Sequence, residues 1–208
     1  MKMTSGIKTI MFDMGGVLIN LNKQACIDAY KALGYDRVEE FIGNYLQKGP
    51  FLDLESGQIS PEQFRDAIRR EIPRPVTDRQ IDDAFIAFLV DMPDYTLDML
   101  LQLKKRYQIF LLSNTNGIIM DYVRRHIFNR QGWSMEHYFD RMFLSYQMGL
   151  VKPDPAIFEQ VVAETGILPS ETLFLDDSSK NTETAEKLGF RTFVVTQGED
   201  FRYIFDEK

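Results

Sequence analysis

The chain has 208 residues, 44% hydrophobic and 26% charged, with a formal net charge of −7. That length and balance fit one globular domain, or one carrying a smaller insertion, and the acidic charge offers no basic stripe for nucleic acid or an anionic membrane. A lone cysteine, Cys26, excludes an intramolecular disulfide and a thiolate metal cage, and reads as a small buried apolar residue. Residues 1–8 are too short and polar for a leader, no apolar run is long enough to span a bilayer, and a reducing cytoplasm is the expected location.

Residues 7–12 are β-branched and apolar until Asp13, Gly15 and Gly16 interrupt them, which predicts a buried parallel strand ending in a tight loop. From residue 20 to 95 the pattern is helical, with no convincing strand. Ser60-Pro61-Glu62-Gln63 puts Ser at an N-cap, Pro at the first helical position and Gln where it completes a capping box, and Thr77-Asp78-Arg79-Gln80 repeats the logic. Between them Ile72-Pro73-Arg74-Pro75 must be extended. A helix over 96–105 leads to a second strand, 108–112, ending at Ser113-Asn114. A short strand is expected at 143–145. A helix over 155–165 precedes a strand at 172–175 ending at Asp176-Asp177, and a helix over 179–188 precedes a strand at 192–195. This alternation predicts an α/β fold, a Rossmann-like parallel sheet with helices on both faces and an all-helical insertion after its first strand. The expected division is residues 1–19 and 96–208 as the core and 20–95 as a cap, hinged near 19–21 and 92–96.

Ligands of open parallel sheets bind beyond the carboxyl ends of the strands. Asp13, Ser113-Asn114 and Asp176-Asp177 all fall there, and Lys152 lies in a Gly149-Leu150-Val151-Lys152-Pro153 loop that leads into a helix. Each alone has a plain reading, as turn residue, helix cap or solvated charge. Together they make a set suited to phosphoryl transfer. Carboxylates without Cys or His favour Mg²⁺ over Zn²⁺. Lys152 and Ser113 would bind phosphate oxygens, and Gly15 and Gly16 would let backbone N–H groups approach the phosphate. Asp13 would attack phosphorus to give an aspartyl-phosphate.

Phe12-Asp13-Met14-Gly15-Gly16-Val17-Leu18, Leu111-Leu112-Ser113-Asn114, Lys152-Pro153 and Phe174-Leu175-Asp176-Asp177-Ser178 resemble the four motifs of the haloacid dehalogenase (HAD)-like superfamily. The resemblance implies that Asp13 is the nucleophile and a Mg²⁺ ligand, that Ser113 and Asn114 hold phosphate, and that Lys152 balances charge. It makes Asp177 the metal-binding acid, Asp176 a second or water-mediated ligand, and the Gly15 carbonyl a further ligand. The helical insertion corresponds to a C1-type cap. Its Glu55-Ser56-Gly57-Gln58-Ile59-Ser60 stretch is similar to the caps of α-D-glucose-1-phosphate phosphatase-like members and to the phosphatase domain of bifunctional epoxide hydrolases. A small sugar monophosphate is the substrate this implies.

One position departs from the pattern. Phosphatases of this superfamily carry a second Asp two residues after the nucleophile, as general acid and base, and here it is Gly15. Three readings follow: a phosphatase with its acid/base elsewhere, a metal-independent 2-haloacid dehalogenase, which the Asp176-Asp177 pair argues against, or a catalytically weak phosphate-binding module. His126 and His137 have no spacing that ties them to the strand ends, and Trp133 is either packed or a pocket wall. The cap cations Lys48, Arg65, Arg69, Arg70 and Arg74 read as solvated helix faces. Phe51, Leu54 and Glu55 are the candidates for reading the leaving group.

Overall fold

The structure, a computed structural model, describes residues 3–43 and 47–205; Met1 and Lys2, part of the stretch expected to carry no leader, lie outside them. Strand β1 (Thr9–Phe12) is followed by helices α1 (Lys23–Leu33), α2 (Gly49–Glu55), α3 (Pro61–Glu71), α4 (Asp78–Ile86) and α5 (Thr96–Lys104). Next come β2 (Gln108–Ser113), α6 (Gly117–Tyr122), α7 (Met135–Tyr138), β3 (Arg141–Leu144) and α8 (Ser145–Met148). The chain continues through α9 (Pro155–Thr165), β4 (Thr172–Asp176), α10 (Ser179–Lys187) and β5 (Arg191–Val194). The strands form one parallel sheet in the order β3-β2-β1-β4-β5.

The central strand explains the layering. All four residues of β1 are buried, and successive side chains of a strand point to opposite faces. Ile10 and Phe12 therefore join the larger core with Ile109, Leu111, Leu173 and Leu175, while Met11 joins the smaller one with Phe110, Leu112, Phe143 and Phe174. A strand covered on both faces must be apolar throughout, which is why it reads as a continuous hydrophobic run. Register pairs Phe12 with Leu111 on one side and Leu175 on the other, so the ends of β1, β2 and β4 meet at one rim.

The interval between β1 and α5 contains the helices α1 to α4 and no strand among its described residues. Both capping boxes form: Ser60 accepts from Gln63 N and Thr77 from Gln80 N, each answered by the Gln side chain. Its centre is aromatic, with Phe51 packed on Tyr30, Phe64 and Phe85 at ring separations of 5.5, 5.1 and 5.3 Å. Cys26 is fully buried beside it, and burial pushes its thiol up to about 12. Entry and exit of this insert run side by side. Leu21 bridges Leu89 antiparallel, Asn20 N–H donates to Asp91 O (2.8 Å), Val90 N–H to Asn20 O (2.9 Å) and Asn22 N–H to Phe88 O (2.7 Å). Gln197, beyond β5, pins the same crossing, its amide paired with Leu21 N–H and C=O at 3.1 and 3.0 Å.

Differences from the expected elements are small. The β3 strand begins at Arg141 and ends at Leu144, earlier than expected. Residues 122–128 do not continue α6 as an ordinary helix; Val123–Ile127 forms a wider π turn that lets Val123, Ile127 and Phe128 all reach the core. Among the described residues no helix is long and apolar enough to cross a membrane.

Candidate active site

Asp13 leaves β1 directly onto the rim. Its N–H donates to Leu175 O (2.8 Å), and its Oδ1 accepts from Met14 N–H (2.6 Å) and from the Lys152 ammonium (3.1 Å). Burial pushes its carboxyl up to about 6 against the pull of Lys152, and Asp176 adds to the rise. The loop then doubles back: Gly16 N–H donates to Ile19 O, and Leu18 and Ile19 N–H to Met14 O. This corrects the expectation that Gly16 presents an amide to phosphate, because that N–H is already committed. Gly16 is required for another reason. At φ 76° its missing Cβ would stand 2.3 Å from Asp177 Oδ2, so only glycine admits that carboxyl. Among the described residues the N–H and C=O of Gly15 have no partner, and Gly15 lines the cleft.

Lys152 is the other centre of the site. The helix that follows it starts with Asp154 as N-cap and Pro155 at the first turn, which holds the loop against the rim. Lys152 is buried, and its ammonium donates to Asp176 Oδ2 (2.7 Å), Asp13 Oδ1 (3.1 Å) and Leu112 O (3.0 Å). Burial works to lower its pKa, but the attraction of Asp13 and Asp176 outweighs that and holds it above the ordinary lysine value. An ammonium has three donors, and all three are spent. Lys152 therefore grips the nucleophile, and the expected direct role in phosphate binding would require one of these bonds to be released. Asn114 grips the same loop: its Nδ2 donates to Lys152 O (2.9 Å) and its Oδ1 accepts from Lys152 N–H (2.8 Å). One amide hydrogen of Asn114 is left to meet a phosphate.

Asp13, Asp176 and Asp177 each offer an oxygen within 4.8 Å of the others. Such a set, with no thiolate or imidazole, suits a hard divalent cation of the size of Mg²⁺. The members are not equivalent. Asp176 is fully buried, and its oxygens already accept from Lys152, Ser178 N–H (2.8 Å) and Asn181 Nδ2 (2.9 and 3.1 Å). Of these three, Asp13 and Asp177 line the cleft, as does Gly15, whose carbonyl has no partner among the described residues. Burial first, then the charges of Asp13 and Asp176, push Asp177 up to about 7. A cation beside these two carboxyls would replace the solvation that burial removes and offset the repulsion from Asp176. The residues fit the metal, with Asp176 confined to a supporting place.

The cleft holds about 90 Å³ of closed space at the rim and opens to solvent beyond it. Ser113 stands on its floor, 1% exposed. Thr115, Asn116, Asn181 and Gln47 also line the cleft, and the sequence reading missed them. The side chain of Asn116 caps α6 through Oδ1 while its Nδ2, like Thr115 Oγ1, is buried without a partner among the described residues. An Asn one turn into the helix after an Asp pair was a legible signal for Asn181. Of the three leaving-group candidates only Glu55 enters the cleft; Phe51 and Leu54 are buried in the core of the insert instead. Burial, then the charge of Asp13, pushes Glu55 up to about 8, against Lys152.

The remaining candidates lie away from the cleft. His137 is exposed and stacks on Trp133 (4.4 Å), also exposed, and His126 packs on Tyr122. Arg65 is bidentate to Asp82 (2.9 and 2.8 Å), Arg69 pairs with Asp66 and Asp78, and Arg74 donates to the carbonyls of Ala32 and Leu33. Lys48 and Arg70 are exposed.

Residues 7–189 match the haloacid dehalogenase-like hydrolase family, and the chain belongs to it. A D-ribitol-5-phosphate phosphatase from Bacteroides thetaiotaomicron is 36% identical over 196 residues, covering 94% of this chain and 95% of the relative. A HAD family enzyme from the same organism, solved as an Asp-to-Ala variant with magnesium and inorganic phosphate, is 42% identical with a TM-score of 0.94, covering 97% of this chain and all of that one. A predicted HAD-like hydrolase from Porphyromonas gingivalis is 39% identical with a TM-score of 0.90, over 97% of this chain and 99% of that one.

Proposed function

We propose that this protein is a Mg²⁺-dependent phosphatase that hydrolyses a small sugar or alditol monophosphate through an aspartyl-phosphate on Asp13. The observation that carries the reading is the buried Lys152 ammonium held between Asp13 and Asp176 beside the cleft-facing Asp177. The similarity to a ribitol-5-phosphate phosphatase supports an alditol or sugar phosphate over other esters, and related structures that hold magnesium and phosphate support the cation. Residues 20–95 act as a cap over a core of residues 1–19 and 96–208, and the reading places the enzyme in the cytoplasm.

The chain's own groups account for most of the chemistry. Lys152 and Met14 N–H fix Asp13 through Oδ1, which leaves Oδ2 with its lone pairs for phosphorus. Asp176, saturated by Ser178 and Asn181, keeps Lys152 from swinging away. Ser113, the Gly15 N–H and the spare Asn114 amide hydrogen meet the transferring oxygens. Asp13, Asp177 and the Gly15 carbonyl would hold Mg²⁺, which supplies the positive charge that lets an anionic phosphate approach clustered carboxylates. Removal of the leaving group then places phosphate on Asp13, and water takes it off.

The test is phosphate release from ribitol 5-phosphate, other sugar phosphates and p-nitrophenyl phosphate, with Mg²⁺ and with EDTA, for wild type and Asp13→Asn. The expected result is metal-dependent turnover that Asp13→Asn abolishes. Turnover no higher than that of the variant on every ester would reject the reading.

A further inference from the structure

The unfilled role in this site is a proton donor for the leaving alkoxide. Gly15 has no side chain to supply it, and both histidines lie outside the cleft. The two aspartates facing the cleft are engaged as nucleophile and cation ligand. One further carboxyl enters the same space. Glu55 closes helix α2, is 7% exposed, and its carboxyl makes no hydrogen bond or ion pair among the described residues. A carboxyl so placed takes its partners from the cleft, where a bound ester would replace water. The atoms that would meet it are those of a bound ester.

The loop after Glu55 is fixed against the core. Gly57 lies at φ 70°, and a Cβ there would stand 2.2 Å from Tyr146 O, so insert and core touch backbone to backbone. Tyr146 belongs to α8, which β3 carries up to the rim, and Ser145 of the same helix exchanges hydrogen bonds with Thr115 of the cleft lining (2.9 and 3.0 Å). The carboxyl is thus delivered from the insert by a seam only two residues away, and its position is set by packing on the same elements that shape the phosphate end.

We propose that Glu55 is the general acid and general base of this enzyme, supplying from the insert the carboxyl that Gly15 lacks. The proposal rests on the phosphatase reading. In the first half-reaction Asp13 Oδ2 bonds to phosphorus, the bond from phosphorus to the ester oxygen breaks, and the Glu55 proton passes to that oxygen, giving the free alcohol. In the second, the Glu55 carboxylate takes a proton from water as the water oxygen bonds to phosphorus. The bond from phosphorus to Asp13 breaks, releasing inorganic phosphate and restoring an ionised Asp13 and a protonated Glu55. Gly57 is a positioning residue for this carboxyl.

The experiment compares two leaving groups in wild type, Glu55→Gln and Glu55→Asp. On ribitol 5-phosphate, whose alkoxide needs a proton, Glu55→Gln is expected to lower the single-turnover rate by about 10²–10⁴-fold. On p-nitrophenyl phosphate, whose phenolate leaves unaided, the same variant should release a burst near one equivalent of p-nitrophenolate and then turn over slowly, because the second step lacks its base. Glu55→Asp should recover part of both rates. Three results would overturn the proposal: unchanged rates, a rise in KM alone, or equal losses on both esters without a burst. Circular dichroism and Mg²⁺-dependent binding of inorganic phosphate show that the variant is folded with its phosphate end intact. No turnover of any ester by wild type would instead reject the phosphatase reading itself.

Discussion

Replacing Lys152 by methionine keeps length and bulk while removing the charge. The ammonium now bonds to Asp176 at 2.7 Å, Asp13 at 3.1 Å and Leu112 O at 3.0 Å, all in a buried place. Taking away one partner of a buried ion pair costs about 3–5 kcal/mol, because the other charge stays buried and uncompensated. At about 2–4 °C per kcal/mol for a chain of this size, Tm should fall by about 6–20 °C at pH 8. The loss should shrink in acid. Without Lys152 the carboxyl of Asp13 rises further in the folded state, and an acid raised on folding contributes stability below its unfolded pKa that disappears as pH climbs through its folded value. Thermal unfolding of Lys152→Met and wild type from pH 5 to 8 checks both claims. A gap that is absent at pH 8, or that widens toward pH 5, would refute the picture of a cation binding two buried carboxylates together.

Gly16→Ala should lower Mg²⁺ affinity by about 10–100-fold, the usual effect of disturbing the support of a ligand, since its Cβ would displace the Asp177 carboxyl; calorimetric titration measures this, and unchanged affinity would sink the assignment of Asp177. In EDTA the wild type should lose stability as pH rises from 5 to 8.5. Burial raises Asp13 to about 6, Asp177 to about 7 and Glu55 to about 8, so their contribution is full near pH 4 and lost through those values. Saturating Mg²⁺ should flatten the trend, and a Tm that climbs over that range in EDTA would contradict it. Phe51→Ala should cost about 3–5 kcal/mol through its cavity while leaving the ranking of substrates unchanged; denaturant titration and the ester panel test the two halves, and an altered ranking would restore Phe51 as a specificity residue.

The fold was open to reading because both of its signals are local. A strand buried on both faces is apolar along its middle, and residues 10–12 and 173–175 obey that; the capped helices of the insert announce themselves through Ser60 and Thr77 in the same way. Residue types at the strand ends, with the lysine in the loop before α9, also led to the Asp13, Lys152 and Asp177 centre. What could not be read was the allocation of hydrogen bonds. Nothing in the order of residues says that Lys152 exhausts its donors on protein oxygens, that Asn114 splices the Lys152 loop, or that Gly16 N–H is taken by Ile19. The first two follow from distances between segments well separated in the chain, 38 residues for Asn114 and Lys152 and 24 for Lys152 and Asp176, and the third from the way the loop after Asp13 folds back on itself. Phe51, Leu54 and Glu55 are close neighbours in sequence, yet only Glu55 leaves the insert's core, because it ends the helix where the chain turns toward Tyr146.

The paired crossing at Leu21 and Leu89 gives the insert a property independent of its contents. Because the chain departs and returns through adjacent, mutually bonded segments, the sheet meets the same two anchoring points whatever is strung between them. The added loop-closure cost grows only with the logarithm of the intervening length. An exchange of residues between these points for a longer or shorter helical unit would therefore leave β1 and α5 in register. The rim at the strand ends and the helical insert can change at different rates, joined by a bracket that Gln197 holds shut from the far edge of the sheet.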